Sequence, residues 1–362
     1  MRASPNLPRF VFGPLPTRRL GRSLGIDTVP PKTCNWNCDY CQLGRTHPLT
    51  NERKDYQPVG AILDEVRARL AALPPEAIDW ITFVASGEST LHRGIGRLIR
   101  EVKRLSDRPV AVITNGSLLH LSAVRAALAV ADAVLPTLDA GDAETFCKIN
   151  RPHRGLTFER QVAGIEAFAR MKRRGQLWIE VMLLAGLNDS DEALSRLAKV
   201  LTRIGPDEIH LTLPTRCPVE EWVRPPAIER IRRAEEILGA QAKLALPPPC
   251  SARVLRGAAA AEEFVSVVTR HPLSRADLAR LLPAWPAARV ERLLKRLLAA
   301  GRIQLEQRQR ATFIVAASLR YPVPVAKESR RRGKQALAPS RYTALAQLHG
   351  LRTPPVGRSR EA

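Results

Sequence analysis

From Ser23 to about Ala245, short β-rich runs alternate with amphipathic helical stretches. The runs are SLGIDTV (Ser23 to Val29), AIDWITFVAS (Ala77 to Ser86), PVAVITNG (Pro109 to Gly116), AVLPTLDA (Ala133 to Ala140), LWIEVMLLA (Leu177 to Ala185) and EIHLTLPT (Glu208 to Thr215). Between them lie stretches such as VGAILDEVRARLAAL (Val59 to Leu73), whose Ile62, Val66 and Leu70 recur at i, i+4 and i+8 and so share one helical face. IGRLIREVKRL and DEALSRLAKVLTRI have the same character. Strands separated by helices cannot pair as tight hairpins, so the pattern predicts an α/β fold with a parallel sheet, either open and doubly wound or curled into a partial barrel. In both, ligands gather at the carboxyl ends of the strands.

The flanking segments differ. At 362 residues the chain suits one large domain with a smaller appendage. Residues 1–22 read as an N-terminal extension, 23–245 as the strand-helix core, and 246–261 as a stiff linker, since LALPPPC carries three consecutive prolines. Residues 262–316 read helix, turn, helix, helix and two short strands. LSRADLARLL followed by AARVERLLKRLLAAG has helix-turn-helix spacing, and RIQLEQRQRATFIV has the alternation of a β-wing. A winged-helix-like α+β domain is expected there, with nucleic-acid binding or a lid and docking role both open. From Arg320 onward ten Lys and Arg stand against Glu328 and Glu361, so 317–362 is expected to be a basic, disordered tail.

The net charge of +22 suits a polyanionic partner. However, 47 of the 57 basic residues are Arg, and a base-composition bias would produce the same excess, so charge alone leaves nucleic acid open. No run of about 18 uncharged apolar residues occurs, and prolines interrupt MRASPNLPRFVFGPLPTRR where a signal peptide needs its apolar stretch. A cytoplasmic protein with no membrane partner is expected.

Half of the six cysteines fall within CNWNCDYC, at Cys34, Cys38 and Cys41. In a chain of this size without a secretion signal, metal ligation explains the clustering better than disulfides. Structural zinc wants four protein ligands, and the nearest further candidate, His47, sits beside Pro48. Three thiolates on a tight loop suit a cubane [4Fe-4S] cluster that leaves one iron open, with zinc or a metal-free loop as alternatives. Cys147, Cys217 and Cys250 stand apart, as inert thiols or as the makings of a second cluster.

Cys34-x3-Cys38-x2-Cys41, with Tyr40 before the last cysteine, resembles the signature of the radical SAM superfamily. SGEST (Ser86 to Thr90) is similar to its Gly-Glu motif, and TNG (Thr114 to Gly116), TLD (Thr137 to Asp139) and EVMLLAGLND (Glu180 to Asp189) fall where that family lines its cofactor pocket. The resemblance implies a partial (β/α)6 barrel in which Cys34, Cys38 and Cys41 ligate the cluster and S-adenosylmethionine chelates the open iron. By the same resemblance Gly87 and Glu88 hold the methionine ammonium, Tyr40 flanks the adenine or shields the cluster, and Asn115, Thr137 and Asp139 reach the ribose or methionine carboxylate. Each has a plainer reading: packing for Tyr40, a loop acid for Glu88, a turn for Asn115, a helix cap for Thr137 and Asp139.

More narrowly, FGPLPTRRLGRSLGID, PPKTC, CQLGRT, PTLDAGDAETFCKINRPH and the GLND turn are similar to a subgroup grouped with the tRNA wyosine-base synthases, over roughly residues 10 to 240. Two departures stand out. Ser89 occupies a position where relatives commonly have Pro, and no Cys precedes Cys34 to build the second cluster of wyosine synthases. The resemblance implies an enzyme that takes one electron from a flavodoxin- or ferredoxin-type donor and cleaves S-adenosylmethionine to a 5′-deoxyadenosyl radical. Basic charge points to tRNA base modification as the substrate reading. The alternatives are an activase or maturase acting on a protein or small molecule, and a non-enzymatic iron-sulfur redox regulator that binds DNA. The CKINRPHRG loop (Cys147 to Gly155), with Lys148, Arg151, His153 and Arg154, and the group Arg18, Arg19 and Arg22 are candidates for holding a substrate phosphate, or simply solvated charge.

Overall fold

The computed structural model describes residues 10–246, 260–282, 285–308, 311–319 and 321. Strands β1 (Val11–Pro16), β2 (Arg22–Ile26), β3 (Trp80–Phe83), β4 (Val110–Thr114), β5 (Ala133–Pro136), β6 (Gln176–Met182), β7 (Glu208–Thr212) and β8 (Ala242–Leu244) form one sheet in chain order. β1 is antiparallel to β2, and every later neighbour is parallel. A doubly wound sheet reverses its strand order at a switch point, and this sheet never does. Successive crossovers of one hand therefore carry the helices to one face.

All six expected runs are strands, and two more join them. β1 contains Gly13 and Pro14, which suit a sheet edge and hide it from a search for β-branched runs, while β8 has only three residues. The expected runs overshoot at their carboxyl ends, because apolar composition continues past the last ladder pair into the loops that carry SGE, TNG and TLD.

Between strands come α1 (Val59–Ala71), α2 (Ile95–Leu105), α3 (Ser122–Leu128), α4 (Ala143–Asn150), α5 (Phe158–Arg170), α6 (Asp191–Ile204) and α7 (Ile228–Leu238). α6 shows how local sequence sets its limits. Ser190 accepts from the Ala193 N–H, Asp191 and Glu192 occupy the positive first turn, and Gly205 ends the helix in the left-handed region. Its buried Leu194, Leu197 and Leu201 recur on one face, as do Ile62 and Val66 of α1.

After residue 246 the described chain resumes as α8 (Ala260–Arg270), β9 (Leu273–Ser274), α9 (Arg275–Leu281), α10 (Ala287–Ala299), β10 (Ile303–Arg308) and β11 (Ala311–Ala316), the last strands forming a sheet in the order β10-β11-β9. The helix, helix, helix, hairpin order agrees with the sequence reading, and β9 is additional. Residues 317–319 and 321, expected in the tail, belong to the folded part, with Leu319 buried; the rest of the expected tail, most of the linker and residues 1–9 lie outside the described residues. Among the described residues, no helix is long and apolar enough to cross a membrane.

This C-terminal layer is fused to the sheet. Phe264, Val267 and Val268 of α8 share one buried cluster with Phe12 and Leu15 of β1, and Gly25 of β2 has no side chain because a Cβ there would lie 2.2 Å from the Phe12 ring. Arg69 meets Glu263 at 2.5 Å, and Arg270 meets the buried Asp27 at 3.1 Å.

His271 sits at the junction, its ring 5.6 Å from Phe12 and its Nδ1 accepting from the Arg216 guanidinium at 2.8 Å. Desolvation, then the charges of Arg216 and Arg270, push its pKa well below the ordinary value. The unfolded chain takes up this proton below about pH 6.5 while the folded chain does not, so stability is lost as pH falls through that value. The urea midpoint of the wild type is expected to drop between pH 7 and pH 5, and His271→Gln, which keeps an acceptor for Arg216 without titrating, to flatten that drop.

Candidate active site

The loop after β2 is built against the loop after β3. Asp27 accepts from the Ser86 N–H at 3.0 Å, the Lys32 N–H donates to the Ser86 carbonyl at 2.6 Å, and the Glu88 N–H donates to the Thr33 carbonyl at 2.9 Å. Only glycine fits at position 87, since a Cβ there would lie 1.9 Å from the Thr33 carbonyl oxygen. On its other side the cysteine loop takes up the carbonyls that end α4: the Asn37 N–H donates to Asn150 at 3.1 Å and the Asp39 N–H to Ile149 at 3.0 Å. Trp36, buried, packs edge-on against Phe146 of α4 at 5.4 Å.

Each of the three thiols receives a hydrogen bond from a different side chain. Asn115 Nδ2 reaches Cys34 Sγ at 3.9 Å, Asn150 Nδ2 reaches Cys38 Sγ at 3.7 Å, and Lys32 Nζ reaches Cys41 Sγ at 3.1 Å. Burial and neighbouring acidic groups push the Cys34 thiol up to about 12 and the Cys38 thiol well above its usual value. Lys32 offsets this only in part at Cys34, and bound iron would supply the further positive charge that favours ionised sulfurs. Among the described residues, no three His, Cys, Asp or Glu side chains converge on one ion. Three thiol donors on one loop suit an iron-sulfur cluster in which each would bind a separate iron.

Glu88 caps the turn Ser89–Leu91 and is 1% exposed. Its Oε1 accepts from the Thr90 N–H at 2.9 Å and from the Thr90 and Thr114 hydroxyls at 2.6 Å each, and its Oε2 accepts from the Asn115 N–H at 2.7 Å. Asn115 Nδ2 donates to Asn35 Oδ1 at 2.7 Å, and its Oδ1 accepts from Ser117. Cys34, Gly87, Glu88 and Asn115 thus belong to one connected group.

A second group surrounds Asp139, also 1% exposed. It accepts from the Tyr40 hydroxyl at 2.6 Å, Asn150 Nδ2 at 2.7 Å and the Met182 N–H at 2.8 Å. Burial pushes its carboxyl up to about 6 against the pull of these three donors. Tyr40 is therefore oriented by Asp139, joining Cys38 through Asn150. Thr137, half-buried, connects the strand ends through its backbone, donating to the Thr114 carbonyl at 3.0 Å and accepting from Gln161 at 2.8 Å. In the GLND turn Asn188 is spent on structure, donating to the Asp139 and Met182 carbonyls at 2.8 Å each. The sequence reading missed Asn35, Asn150 and Gln161; each is a lone amide in a loop or helix, and nothing local distinguishes it from a solvated one.

The substrate candidates are largely paired within the chain. Arg151 bridges Asp39 at 2.6 Å and Glu220 at 2.7 Å, Lys148 meets Glu144 at 2.6 Å, and His153 Nδ1 meets Asn51 at 2.9 Å. Arg18 binds the Leu213 carbonyl and Thr215, Arg19 pairs with Glu180, and Arg22 pairs with Asp79 at 2.8 Å. Cys147 is exposed, Cys217 is buried with its thiol pushed up to about 12 by desolvation, and Cys250 lies outside the described residues.

The sequence pattern of the Radical SAM superfamily matches residues 28–198, a span holding the three thiols and both groups around Glu88 and Asp139. A UPF0026 protein of Methanocaldococcus jannaschii is 38% identical over 234 residues, covering 64% of this chain and 72% of that one. The chain belongs to the radical SAM superfamily. Members of the superfamily are enzymes, and membership implies a [4Fe-4S] cluster and S-adenosylmethionine. A protein of Brachyspira hyodysenteriae named GTPase Obg is 36% identical over 299 residues, 82% of this chain, and the chain spans 43% of that relative's length. Among solved structures, TYW1 with a lysine-pyruvate adduct bound aligns over 64% of this chain and 78% of its own at 17% identity, with a TM-score of 0.47.

Proposed function

We propose that this radical SAM protein binds one [4Fe-4S] cluster through Cys34, Cys38 and Cys41 and cleaves S-adenosylmethionine reductively, with a nucleic-acid base, in tRNA, as the substrate. The observation that carries the first part is the hydrogen-bonded thiol loop seated directly on the Gly87-Glu88 turn. When bound, the cluster supplies one electron to the sulfonium of S-adenosylmethionine, which yields methionine and a 5′-deoxyadenosyl radical. Gly87 leaves room for backbone contact there. Glu88 Oε2, with a single donor among the described residues, keeps a lone pair for an ammonium. Asp139 holds Tyr40 rigid beside the cluster loop, and Leu43, Phe313 and Val315 cover the outer side of Cys41 against water. A low-potential flavodoxin- or ferredoxin-type protein would deliver the electron.

The tRNA reading rests on charge. α10 exposes Arg289, Arg292, Lys295 and Arg296, in the third helix of an order that fits a winged helix, on a chain of net charge +22. These 362 residues contain no G-x4-G-K-[S/T] phosphate loop, and the GTPase name is that relative's own.

The test is anaerobic reconstitution with iron and sulfide, then dithionite and S-adenosylmethionine, with chromatography for 5′-deoxyadenosine. Formation of the nucleoside supports the reaction class; a reducible cluster without cleavage overturns it in favour of a redox regulator. Salt-dependent affinity for tRNA above that for a matched polyanion is expected, and its absence overturns the tRNA part in favour of a maturase.

A further inference from the structure

We propose that Lys32 is a tuning residue, whose ammonium, held against the Cys41 sulfur, raises the reduction potential of the cluster. The inference rests on the reading of Cys34, Cys38 and Cys41 as cluster ligands.

Lys32 is placed with unusual care. Its φ of 63° puts a side-chain-bearing residue in the left-handed region, which L-residues other than glycine seldom adopt. The conformation is held by the bond from its N–H to the Ser86 carbonyl at 2.6 Å. Its half-buried side chain then crosses to the far side of the cysteine loop, where Nζ donates to Cys41 Sγ at 3.1 Å and to the Gly44 carbonyl at 2.6 Å. The Gly44 bond fixes the ammonium independently of the sulfur.

The electrostatic setting gives the charge its effect. Glu88 is joined to Cys34 through Asn115, and Asp139 to Cys38 through Asn150, so each of these two sulfurs has a carboxylate close by. Asn115 and Asn150 donate to Cys34 and Cys38, but as neutral amides at 3.9 and 3.7 Å. Lys32 brings a full positive charge to the third sulfur at shorter range. Reduction adds one electron and no proton: the cluster gains one negative charge, and the reductant, dithionite in the test, is oxidised. A cation and an N–H···S bond at a ligating sulfur favour that more negative state.

The test is a potentiometric titration of the reconstituted full-length protein without S-adenosylmethionine, following the reduced-cluster electron paramagnetic resonance signal. In Lys32→Met the reduction equilibrium constant is expected to fall about tenfold, a shift of about 59 mV to lower potential for one electron. Lys32→Arg should stay near the wild type, and Lys32→Gln, which can still reach the Gly44 carbonyl, should follow Lys32→Met. Equal midpoints for wild type and Lys32→Met at equal iron and sulfide content overturn the proposal. If Lys32→Met does not load, the Lys32→Gln and Lys32→Arg pair decides, and equal midpoints there overturn it too. A wild type that loads no cluster overturns the ligand reading instead.

Discussion

Cys38→Ala is expected to leave the chain folded, to abolish cluster loading and to take 5′-deoxyadenosine formation below detection. Removing a residue that only orients a metal ligand costs roughly 10- to 100-fold, so loss of a ligand should exceed that range. The fold should survive because the turn is held by backbone: the Cys41 N–H donates to the Cys38 carbonyl at 3.1 Å, and the flanking N–H groups bind the end of α4. Cys147→Ser is the matching control, since that thiol is exposed, and it should load as the wild type does. Iron and sulfide analysis with far-ultraviolet circular dichroism on the same samples separates the outcomes. A loaded Cys38→Ala protein would refute the ligand set.

Gly87→Ala should be nearly as damaging without removing any ligand. The new Cβ would meet the Thr33 carbonyl oxygen at 1.9 Å, and backbone, unlike a flexible side chain, must move as a whole. Overpacking of this kind costs about 1–3 kcal/mol, and here the strand-end loop that yields is joined to the cysteine loop by the Glu88 to Thr33 and Lys32 to Ser86 bonds. We expect a lowered melting temperature together with impaired cluster loading. Gly60→Ala in α1, where an added Cβ meets nothing within 4 Å, should be neutral or slightly stabilising. Unchanged loading in Gly87→Ala would show that the two loops are less tightly joined than these contacts imply.

Local sequence made much of the site legible. The thiol spacing, the six β-rich runs and the short motifs at their carboxyl ends are properties of adjacent residues, and through the family resemblance they singled out Cys34, Glu88, Asn115 and Asp139 as candidates. What these polar residues bond was not legible. Glu88 reads as a loop acid, yet it lies buried under four hydrogen bonds, three of them from Thr114, Asn115 and the Thr90 hydroxyl. Asp139 and Tyr40 are 99 positions apart, and no period in the chain relates them. The basic loop around Arg151 read as a phosphate site because its acidic partners, Asp39 and Glu220, come from distant segments.

By itself the sequence determined the class of fold, the clustering of three cysteines on one loop and the order of elements in the C-terminal layer, because helical and strand periodicity and cysteine spacing act within a few residues. Only the tertiary structure decided that the strands follow chain order without a switch, that α8 packs on β1, that β11 covers Cys41, and that Lys32 turns back onto a cysteine nine residues ahead. Those outcomes depend on which buried surfaces and charges meet after the chain has closed, and burial and pairing at long range leave no local period to read.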